Sequence, residues 1–412
     1  MEETGPYSLI MNIEGHRLRI PYFADAPVDS VNRAVKKVVV VVHGMNRNAG
    51  DYFRNMKAAA ADSPAYTDSL MVVAPQFLEE EDLDPNHLDS RYLYWSGGWK
   101  SGSLSRDNSG HPRPARIASY AVMDTLLLQL AEYQPHLKFI VVAGHSAGGQ
   151  FVNRYSASSP VADVLFQKFG IRTRFVVANP GSYVYLDKKR AVPGTINRFE
   201  IPANACSQYN RWRYGLENLY AYPARLGADS IRRILKRRDV VYLLGELDTD
   251  ENSSSLDRSC PAMWQGKYRL ERGTIYFNYL RNYYGTAVGE IQHCDTVPGV
   301  GHDNRAMFGS AVGRYWLFVH DPEGGPMAVW QQPAESFKIY PNPAKNEIRV
   351  LFPENFKPDR FSLLDASGKT IVNRRIVNGN RLKLPVANLK PGIYFLLLSN
   401  KENTVAEPFL KK

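Results

Sequence analysis

The stretch VVAGHSAGGQF, residues 141–151, places a serine between glycines where a run of strand-forming residues ends. Ser146 is the centre of a G-x-S-x-G pattern, in which a sharp turn between a strand and a helix exposes the serine hydroxyl. Such a turn needs small residues on both sides, because its backbone is strained and neighbouring segments come close. A helix-like segment follows, and its first N–H groups would point toward the serine oxygen. This context predicts a nucleophile at Ser146; the alternative is a loop that contains small residues.

A serine hydroxyl is a weak nucleophile and requires a general base. His302 lies in the segment VPGVGHDNRAMF, after the last strand pattern of the main region and before its last helix pattern. Asp248 follows the strand pattern VVYLLGE, and Asp250 lies two residues later. The carboxyl ends of strands in an open α/β sheet form its active site. We therefore predict Ser146 as nucleophile, Asp248 as acid and His302 as base. Asp250 remains the alternative acid, less favoured because it lies farther from the strand end.

Acyl transfer also needs N–H donors for the negative oxygen of a tetrahedral intermediate. The segment KKVVVVVHGMNRNAG ends a strand pattern with the residues His-Gly-Met. The N–H groups of Met45 and Ala147 are the predicted donor pair. The other candidate bases are less suitable because they lie beside this turn, inside the serine turn or within a strand pattern: His43, His145 and His293.

Aromatic residues provide the only indication of how a substrate would bind. The segment RYLYWSGGWKSGS contains Trp95 and Trp99 among glycines, and NPGSYVYLD contains Tyr183. Aromatic side chains on loops suit an apolar or aromatic acyl or alcohol group. We predict Trp95, Trp99 and Tyr183 as substrate-binding residues; the alternative is that these rings belong to the core.

The elements that must position these residues follow an alternating pattern. Strand-like and helix-like segments alternate to about residue 320, which favours a mostly parallel sheet with helices on both faces. YSLIMNIEGHRLRIPYF predicts a hairpin that turns at Glu14 and Gly15, and KKVVVVV predicts a strand covered on both faces. Helix patterns occupy residues 51–61, 116–132, 150–157 and 303–318.

The HG turn, the GHSAGG turn, the G-x-x-D segment ending at Asp248 and the GVGHD loop around His302 resemble the α/β-hydrolase superfamily. The resemblance covers residues 1 to about 320. It implies an α/β-hydrolase fold in a catalytic domain over residues 1–321, with a cap-like insertion near residues 183–230. The residues named above match the superfamily's nucleophile, acid, base and oxyanion donors, and no cofactor is implied.

The pattern changes near residue 322, where HDPEGGPMAVWQQPAES predicts a linker over residues 322–334. Short strands separated by turns then predict a small all-β sandwich over residues 335–412. The pieces YPNP, DASGK and LKPGIYF resemble the C-terminal sorting domain of the Por (type IX) secretion system. This resemblance implies interaction with that machinery and a secreted or cell-surface protein. The alternative is an accessory β-sandwich, such as a carbohydrate-binding domain.

Composition excludes several classes of protein. The chain of 412 residues has 44% hydrophobic and 22% charged residues, as in ordinary globular proteins. The net charge of +10 does not predict nucleic-acid binding, because +7 of it belongs to residues 333–412 and no basic stripe crosses the main region. No apolar run reaches the length of a membrane span. The first residues, MEETGPYSLIMNIEGH, show no signal-peptide pattern, although the sorting resemblance implies one.

Three cysteines are too few for a disulfide scaffold, and their spacing predicts no metal site. Because secretion permits disulfides, we predict a bond between Cys206 and Cys260, which lie in loop-like segments that follow strands. Cys294, within the strand pattern EIQHCDTV, is predicted to be a buried free thiol.

These observations favour a secreted serine hydrolase that cleaves carboxylic esters through an acyl-enzyme. Small-molecule or polymeric esters are the predicted substrates, with aryl esters, plant-wall esters and polyesters suggested by the aromatic segments. Two alternatives remain: a serine peptidase of the same superfamily, and a non-catalytic surface-binding protein built on a hydrolase scaffold.

Overall fold

The computed structural model describes residues 3–63, 69–320, 337–352, 358–365, 370–375, 381–400 and 404–412. The strands up to residue 320 are β1 (Tyr7–Ile13), β2 (His16–Ala24), β3 (Lys37–Val42), β4 (Leu70–Pro75), β5 (Phe139–His145), β6 (Arg172–Ala178), β7 (Arg190–Ala191), β8 (Phe199–Glu200), β9 (Asp239–Gly245) and β10 (Gln292–Val297). Eight of them form one sheet in the order β1-β2-β4-β3-β5-β6-β9-β10, and β7 pairs with β8.

The sheet is parallel from β4 to β10 and antiparallel at its first edge. Strand β1 pairs with β2 through the predicted hairpin, whose turn contains Glu14 and Gly15, both at positive φ. Strand β2 runs antiparallel to β4, whereas every neighbouring pair from β4 through β3, β5, β6 and β9 to β10 is parallel. The carboxyl ends of these parallel strands therefore lie along one edge of the sheet.

Helices cover both faces of the sheet. They are α1 (Ala49–Ala61), α2 (Ser119–Tyr133), α3 (Ala147–Ser158), α4 (Val161–Phe169), α5 (Ala221–Ala224), α6 (Gly227–Lys236), α7 (Cys260–Met263), α8 (Arg269–Tyr284), α9 (Asn304–Gly309) and α10 (Ala311–Arg314). Short 3-10 helices span Glu80–Asp82, Gly97–Ser101 and Thr286–Glu290, and a π-helical turn spans Tyr315–Val319.

Strand β3 shows how two hydrophobic cores form on opposite faces. Val38 and Val40 pack in one core with residues of α2 and α3, whereas Val39 and Val41 pack in the other with residues of α1 and α9. Successive side chains of a strand point to opposite faces. A strand between two covered faces is therefore apolar at every position, as the KKVVVVV segment predicted. The predicted α/β-hydrolase class is confirmed.

The prediction of one continuous helix at the end of the main region is wrong. Residues 303–318 were predicted as one helix, but they form α9, α10 and the π-helical turn. Ser310 leaves the helical conformation at ψ 160°, and its hydroxyl accepts a hydrogen bond from Gly313 N–H, which starts a new helix. A serine at such a position competes with the continuing helix because it caps the next one. Helical periodicity does not detect this restart.

The C-terminal region is all-β, as predicted. Its strands are β11 (Lys338–Tyr340), β12 (Glu347–Leu351), β13 (Arg360–Asp365), β14 (Thr370–Arg375), β15 (Arg381–Pro385), β16 (Gly392–Ser399) and β17 (Thr404–Lys411). They form two antiparallel sheets, β11-β12-β15 and β14-β13-β16-β17. Residues of both sheets share one hydrophobic core that contains Ile348, Val350 and Leu396. The predicted linker over residues 322–334 lies outside the described residues.

The cysteines behave largely as predicted. Cys206 and Cys260 form a disulfide, and Cys294 is a free thiol. Cys294 lies on β10, the edge strand of the sheet, where its residue retains partial exposure. Burial of its side chain raises the pKa of the thiol to about 12, which agrees with the predicted buried thiol. Among the described residues, no helix is both long and apolar enough to span a membrane.

Candidate active site

Ser146 lies between β5 and α3 at φ 58° and ψ −117°. A residue with a side chain adopts positive φ at an energetic cost, so the surrounding structure must hold it there. A Cβ on Gly144 would lie 2.3 Å from the Gly148 carbonyl oxygen, and a Cβ on Gly148 would lie 2.2 Å from the Val42 oxygen. Ser146 N–H donates to the Ala178 carbonyl at 3.0 Å. The glycines therefore permit the strained strand-to-helix turn that the motif predicted.

His302 connects the serine to a carboxylate. Its Nε2 lies 3.0 Å from Ser146 Oγ, and its Nδ1 lies 2.7 Å from Asp248 Oδ2. The three side chains belong to the segments that follow β5, β9 and β10, which end along the same edge of the sheet. In this arrangement Nδ1–H donates to the carboxylate, and Nε2 is free to accept the serine proton. The fold thus brings together the three residues that the motif order predicted.

The two candidate acids have different environments. Asp248 is 3% exposed and contacts His302, whereas Asp250 is exposed and accepts a hydrogen bond from Asn252 N–H at 2.9 Å. Asp248 also lies 3.4 Å from the guanidinium of Arg269, the first residue of α8. Burial lowers the pKa of Arg269, and the Asp248 carboxylate opposes that shift. The sequence patterns did not indicate Arg269, because it resembles any other arginine at the start of a helix.

Asn179 holds the acid loop and the histidine loop together. It follows β6 at φ 42° and is fully buried. Its side-chain oxygen accepts from Gly245 N–H at 2.8 Å, and its side-chain nitrogen donates to the Gly301 carbonyl at 3.2 Å. A Cβ on Gly245 would lie 2.7 Å from that same carbonyl oxygen. The sequence analysis missed Asn179. An asparagine directly after a buried strand could have indicated it, because asparagine side chains often bond to the backbone of turns.

The His302 ring packs against the ring of a second histidine, His145. The His145 and His302 ring centroids are 4.5 Å apart. His145 Nδ1 lies 3.4 Å from the Tyr52 hydroxyl. Burial, together with nearby His302 and Arg269, lowers the pKa of His145 well below its ordinary value. His145 is therefore neutral at physiological pH and supports the His302 ring without competing for its proton.

The predicted oxyanion loop is held by a buried arginine. Strand β3 lies beside β5, so the segment after Val42 approaches the start of α3, where Ala147 is the first residue. Arg47 donates to the carbonyl oxygens of Phe77 at 2.7 Å and Leu78 at 2.9 Å. These bonds attach the loop that carries Met45 to the end of β4. The loop is thereby positioned beside the serine turn, with Met45 about half exposed.

The prediction of three substrate-binding aromatic residues is wrong. Trp95, Trp99 and Tyr183 are each at most 1% exposed, so their side chains belong to the core. Trp99 stacks on Phe77 with centroids 5.3 Å apart, and Tyr183 stacks on Tyr276 at 4.4 Å. The 3-10 helix Gly97–Ser101 folds the tryptophan segment beneath the loop surface. Large aromatic rings gain more free energy from such burial than from exposure on a loop, and this gain decides their position.

His43 and His293 also have structural contacts. His43 is fully buried, where its Nε2 accepts from Phe77 N–H at 3.0 Å, and burial lowers its pKa to about 3. His293 stacks on Trp316 with centroids 4.7 Å apart. Within the described part of the chain, no group of three or more His, Cys, Asp or Glu side chains is arranged to hold a metal ion.

Comparison with known proteins identifies the C-terminal region. Residues 338–412 match the secretion system C-terminal sorting domain. No curated protein matches the chain.

Solved structures similar to this chain include poly(aspartic acid) hydrolase-1 from Sphingomonas sp. KT-1, at 23% identity over 76% of this chain and 99% of that one, with a TM-score of 0.49. LpqC, a poly(3-hydroxybutyrate) depolymerase from Bordetella parapertussis, is 22% identical over 79% of this chain and 94% of its own, with a TM-score of 0.49. Siderophore hydrolase EstB from Aspergillus nidulans is 15% identical over 77% of this chain and 96% of its own, with a TM-score of 0.38.

The fold assignment rests on this chain's own sheet. Helices cover both faces, a serine turn follows β5, and the chain order of Ser146, Asp248 and His302 at the carboxyl edge is that of an α/β-hydrolase. The sorting domain marks the protein as secreted or held at the cell surface. The chain thus joins a domain of the α/β-hydrolase fold to a C-terminal sorting domain of the type IX secretion system.

Proposed function

We propose that this protein is a secreted serine hydrolase that cleaves carboxylic esters through an acyl-enzyme. The observation that carries the proposal is the position of His302, whose two ring nitrogens lie 3.0 Å from Ser146 Oγ and 2.7 Å from Asp248 Oδ2. A histidine between a hydroxyl and a buried carboxylate is the arrangement that activates a serine for acyl transfer.

In the first half-reaction, Ser146 Oγ attacks the ester carbonyl carbon while His302 Nε2 takes the hydroxyl proton. The N–H groups of Met45 and Ala147 stabilise the oxygen that becomes negative in the tetrahedral intermediate. The bond to the alcohol oxygen then breaks, and the histidine returns the proton to the leaving alcohol. The product on the enzyme is an ester of Ser146.

The second half-reaction repeats these steps with water. His302 removes a proton from a water molecule, which attacks the acyl-enzyme carbonyl, and the proton then returns to Ser146 as the acid is released. Asp248 stays ionised throughout and stabilises the histidine when it is protonated. Arg269 and Asn179 act on this cycle only by positioning Asp248 and the loops that carry the acid and the base.

The substrate preference needs a separate test. Aryl esters, plant-wall esters and polyesters were suggested by aromatic side chains that are buried, so this basis for the preference is withdrawn. A panel of aryl esters, acetylated sugars, triglycerides and polyesters measures the preference directly. A peptide substrate on the same panel tests the serine peptidase alternative.

The proposal is tested with 4-nitrophenyl acetate and a fluorophosphonate label. We expect wild-type turnover and labelling, both of which are lost in Ser146→Ala, and loss of turnover in His302→Ala. Combining the two substitutions should cost little more than either alone, because both groups act in one proton-coupled step. Ser254→Ala, at an exposed serine in the loop after β9, is the matched control and should keep wild-type values.

Wild-type turnover in Ser146→Ala would contradict the proposal. Absence of any Ser146-dependent turnover or labelling in the wild-type protein would instead favour the non-catalytic surface-binding alternative.

A further inference from the structure

A lysine lies directly beside the loop that carries Met45. Lys100 Nζ is 3.3 Å from Met45 Sδ. Its backbone is held from two sides, because its carbonyl oxygen accepts from the Tyr120 hydroxyl at 3.2 Å and from Arg154 at 3.4 Å. A thioether sulfur is a weak acceptor. Among the described residues, no carboxylate lies within ion-pair distance of this partly buried ammonium group.

Arg154 connects this lysine to the serine turn. It lies on α3, is fully buried, and donates to Gln150 Oε1 at 3.2 Å and to Ser182 Oγ at 2.9 Å. Gln150 N–H in turn donates to the Ser146 carbonyl at 3.0 Å. In the described part of the chain, Arg154 also contacts no carboxylate at ion-pair distance. A second cationic group is therefore buried on α3, about two helical turns from Ser146.

Arg213 adds a third positive charge to the same region. Arg154 Nε donates to the Arg213 carbonyl at 2.9 Å. The Arg213 side chain is half-buried, and its Nε donates to the Tyr214 hydroxyl at 3.3 Å. Burial and then the charges of Arg154 and Arg213 lower the pKa of Lys100 to about 8, against the opposing effect of Asp257 and with a further contribution from Arg47.

One carboxylate, that of Asp257, acts on all three cationic groups: its negative charge favours the protonated forms of Lys100, Arg154 and Arg213. Its oxygens are already used by hydroxyl groups: Tyr214 donates to Oδ2 at 2.8 Å, and Ser259 donates to Oδ1 at 2.6 Å. One carboxylate does not neutralise three cations. Partly buried charges are costly unless they are paired. The region therefore keeps an excess of positive charge that a bound anion would neutralise.

We propose that Lys100 and Arg213 form a carboxylate-binding subsite beside the Met45 loop, so that preferred substrates are esters that also carry a free carboxylate. This inference rests on the proposed function, because it names the substrate class of the same site. Arg154 is a positioning residue in this subsite, since it holds the backbone of Lys100 and Arg213 and is itself buried.

The length of the substrate follows from the geometry. Four bonds separate the Met45 nitrogen from its sulfur, so Lys100 Nζ lies at most about 9 Å from the Met45 N–H group that would bind the scissile carbonyl oxygen. Monoesters of a six-carbon dicarboxylic acid place their second carboxylate within that reach. Mono-4-nitrophenyl adipate is therefore a suitable anionic probe, and its methyl diester is the neutral match.

The experiment measures kcat/KM for both probes and takes the ratio of anionic to neutral substrate. We expect Lys100→Met and Arg213→Gln each to lower this ratio about tenfold or more, because each removes a charge-assisted contact to the carboxylate. Lys138→Met is the matched control: it lies exposed before β5, at the opposite end of that strand from Ser146, and should keep the wild-type ratio. Circular dichroism verifies that each variant is folded, and Lys100→Gln replaces Lys100→Met if the latter unfolds.

An unchanged ratio in both variants would overturn the inference. That includes the case in which both substrates lose kcat/KM equally, which would mean that the charges stabilise the transition-state oxyanion instead of a substrate carboxylate. The proposed function has its own readout, Ser146-dependent turnover of the neutral diester. If that turnover is absent, calorimetric binding of adipate to the wild-type protein and to Lys100→Met still tests the subsite, and equal affinities would refute it.

Discussion

The substitution Asp248→Asn replaces one carboxylate oxygen by an NH₂ group. It removes the negative charge and leaves the shape of the side chain almost unchanged. Asp248 Oδ2 lies 2.7 Å from His302 Nδ1, and Oδ1 lies 3.4 Å from the Arg269 guanidinium. The carboxylate of Asp248 is 3% exposed and that of Asp250 is exposed, so the same substitution at position 250 is a matched control. The two variants together separate the acid's role from the local charge of the loop.

The expected loss of activity is large. An amide has no charge to stabilise protonated His302, and its NH₂ group can face Nδ1 and drive the ring proton to Nε2. Nε2 then cannot accept the Ser146 proton. The corresponding change in a Ser-His-Asp enzyme lowers kcat by about 10⁴, which is about 5 kcal/mol of transition-state stabilisation. Asp250→Asn should remain near the wild-type rate, because the Asp250 side chain contacts its own turn.

The same substitution should also lower stability. Arg269 is 1% exposed and would lose the carboxylate beside it, although it keeps a hydrogen bond to Ser255 Oγ at 2.9 Å. Removing one partner of a buried ion pair costs up to about 3–5 kcal/mol. The 3.4 Å separation and the isosteric amide oxygen place Asp248→Asn below that range, at about 1–2 kcal/mol.

Both quantities are measured on purified protein, with hydrolysis of 4-nitrophenyl acetate for activity and urea unfolding for the free energy. The reasoning would be refuted if Asp248→Asn kept more than about a tenth of the wild-type kcat while folded. It would also be refuted if Asp250→Asn were the slower variant, since the acid would then be Asp250.

Four further outcomes are expected. A chain that ends near Gly325 should fold and keep nearly full turnover of small esters, because among the described residues the cores of the two regions have no member in common; an aggregated or inactive product would show that the C-terminal region is needed for the fold. In the native host the same truncation should leave the enzyme in the periplasm, and continued export would contradict the sorting role. Replacing Cys206 and Cys260 by Ser should lower the unfolding free energy by up to about 4 kcal/mol, because the bond closes a loop with a sequence separation of 54; equal denaturation midpoints for variant and wild-type protein would count against this. The preference for anionic over neutral esters should fall as pH rises through about 8, because Lys100 is cationic below its pKa and neutral above it; a ratio that stays constant from pH 6 to about 9.5 would argue against Lys100.

Local sequence patterns were sufficient to predict the residues whose role depends on a short stretch of chain. The glycines around Ser146 can be recognised in the sequence because the turn tolerates no Cβ at Gly144, Gly148 or Gly149. The buried strands can be predicted because a strand that is covered on both faces is apolar at every position, as in β3. The order of Ser146, Asp248 and His302 then followed, since each lies in the segment after a strand whose carboxyl end is at the same edge of the sheet.

The contacts between distant segments were decided only by the tertiary structure. Arg269 reaches Asp248, and Asn179 joins the segments of Gly245 and Gly301, through pairings that no local period encodes.

Burial was the other property that required the fold. The sequence determined that Trp95 and Trp99 are aromatic residues among glycines, but the packing of the loop over α3 and Phe77 decided that their rings face inward. The same holds for Lys100, whose charge is plain in the sequence, whereas its position beside Met45 and its lack of a paired carboxylate among the described residues depend on segments far apart in the chain. A side chain's type is a property of one residue, but its solvation and its field arise from every neighbour that the fold brings within a few ångströms.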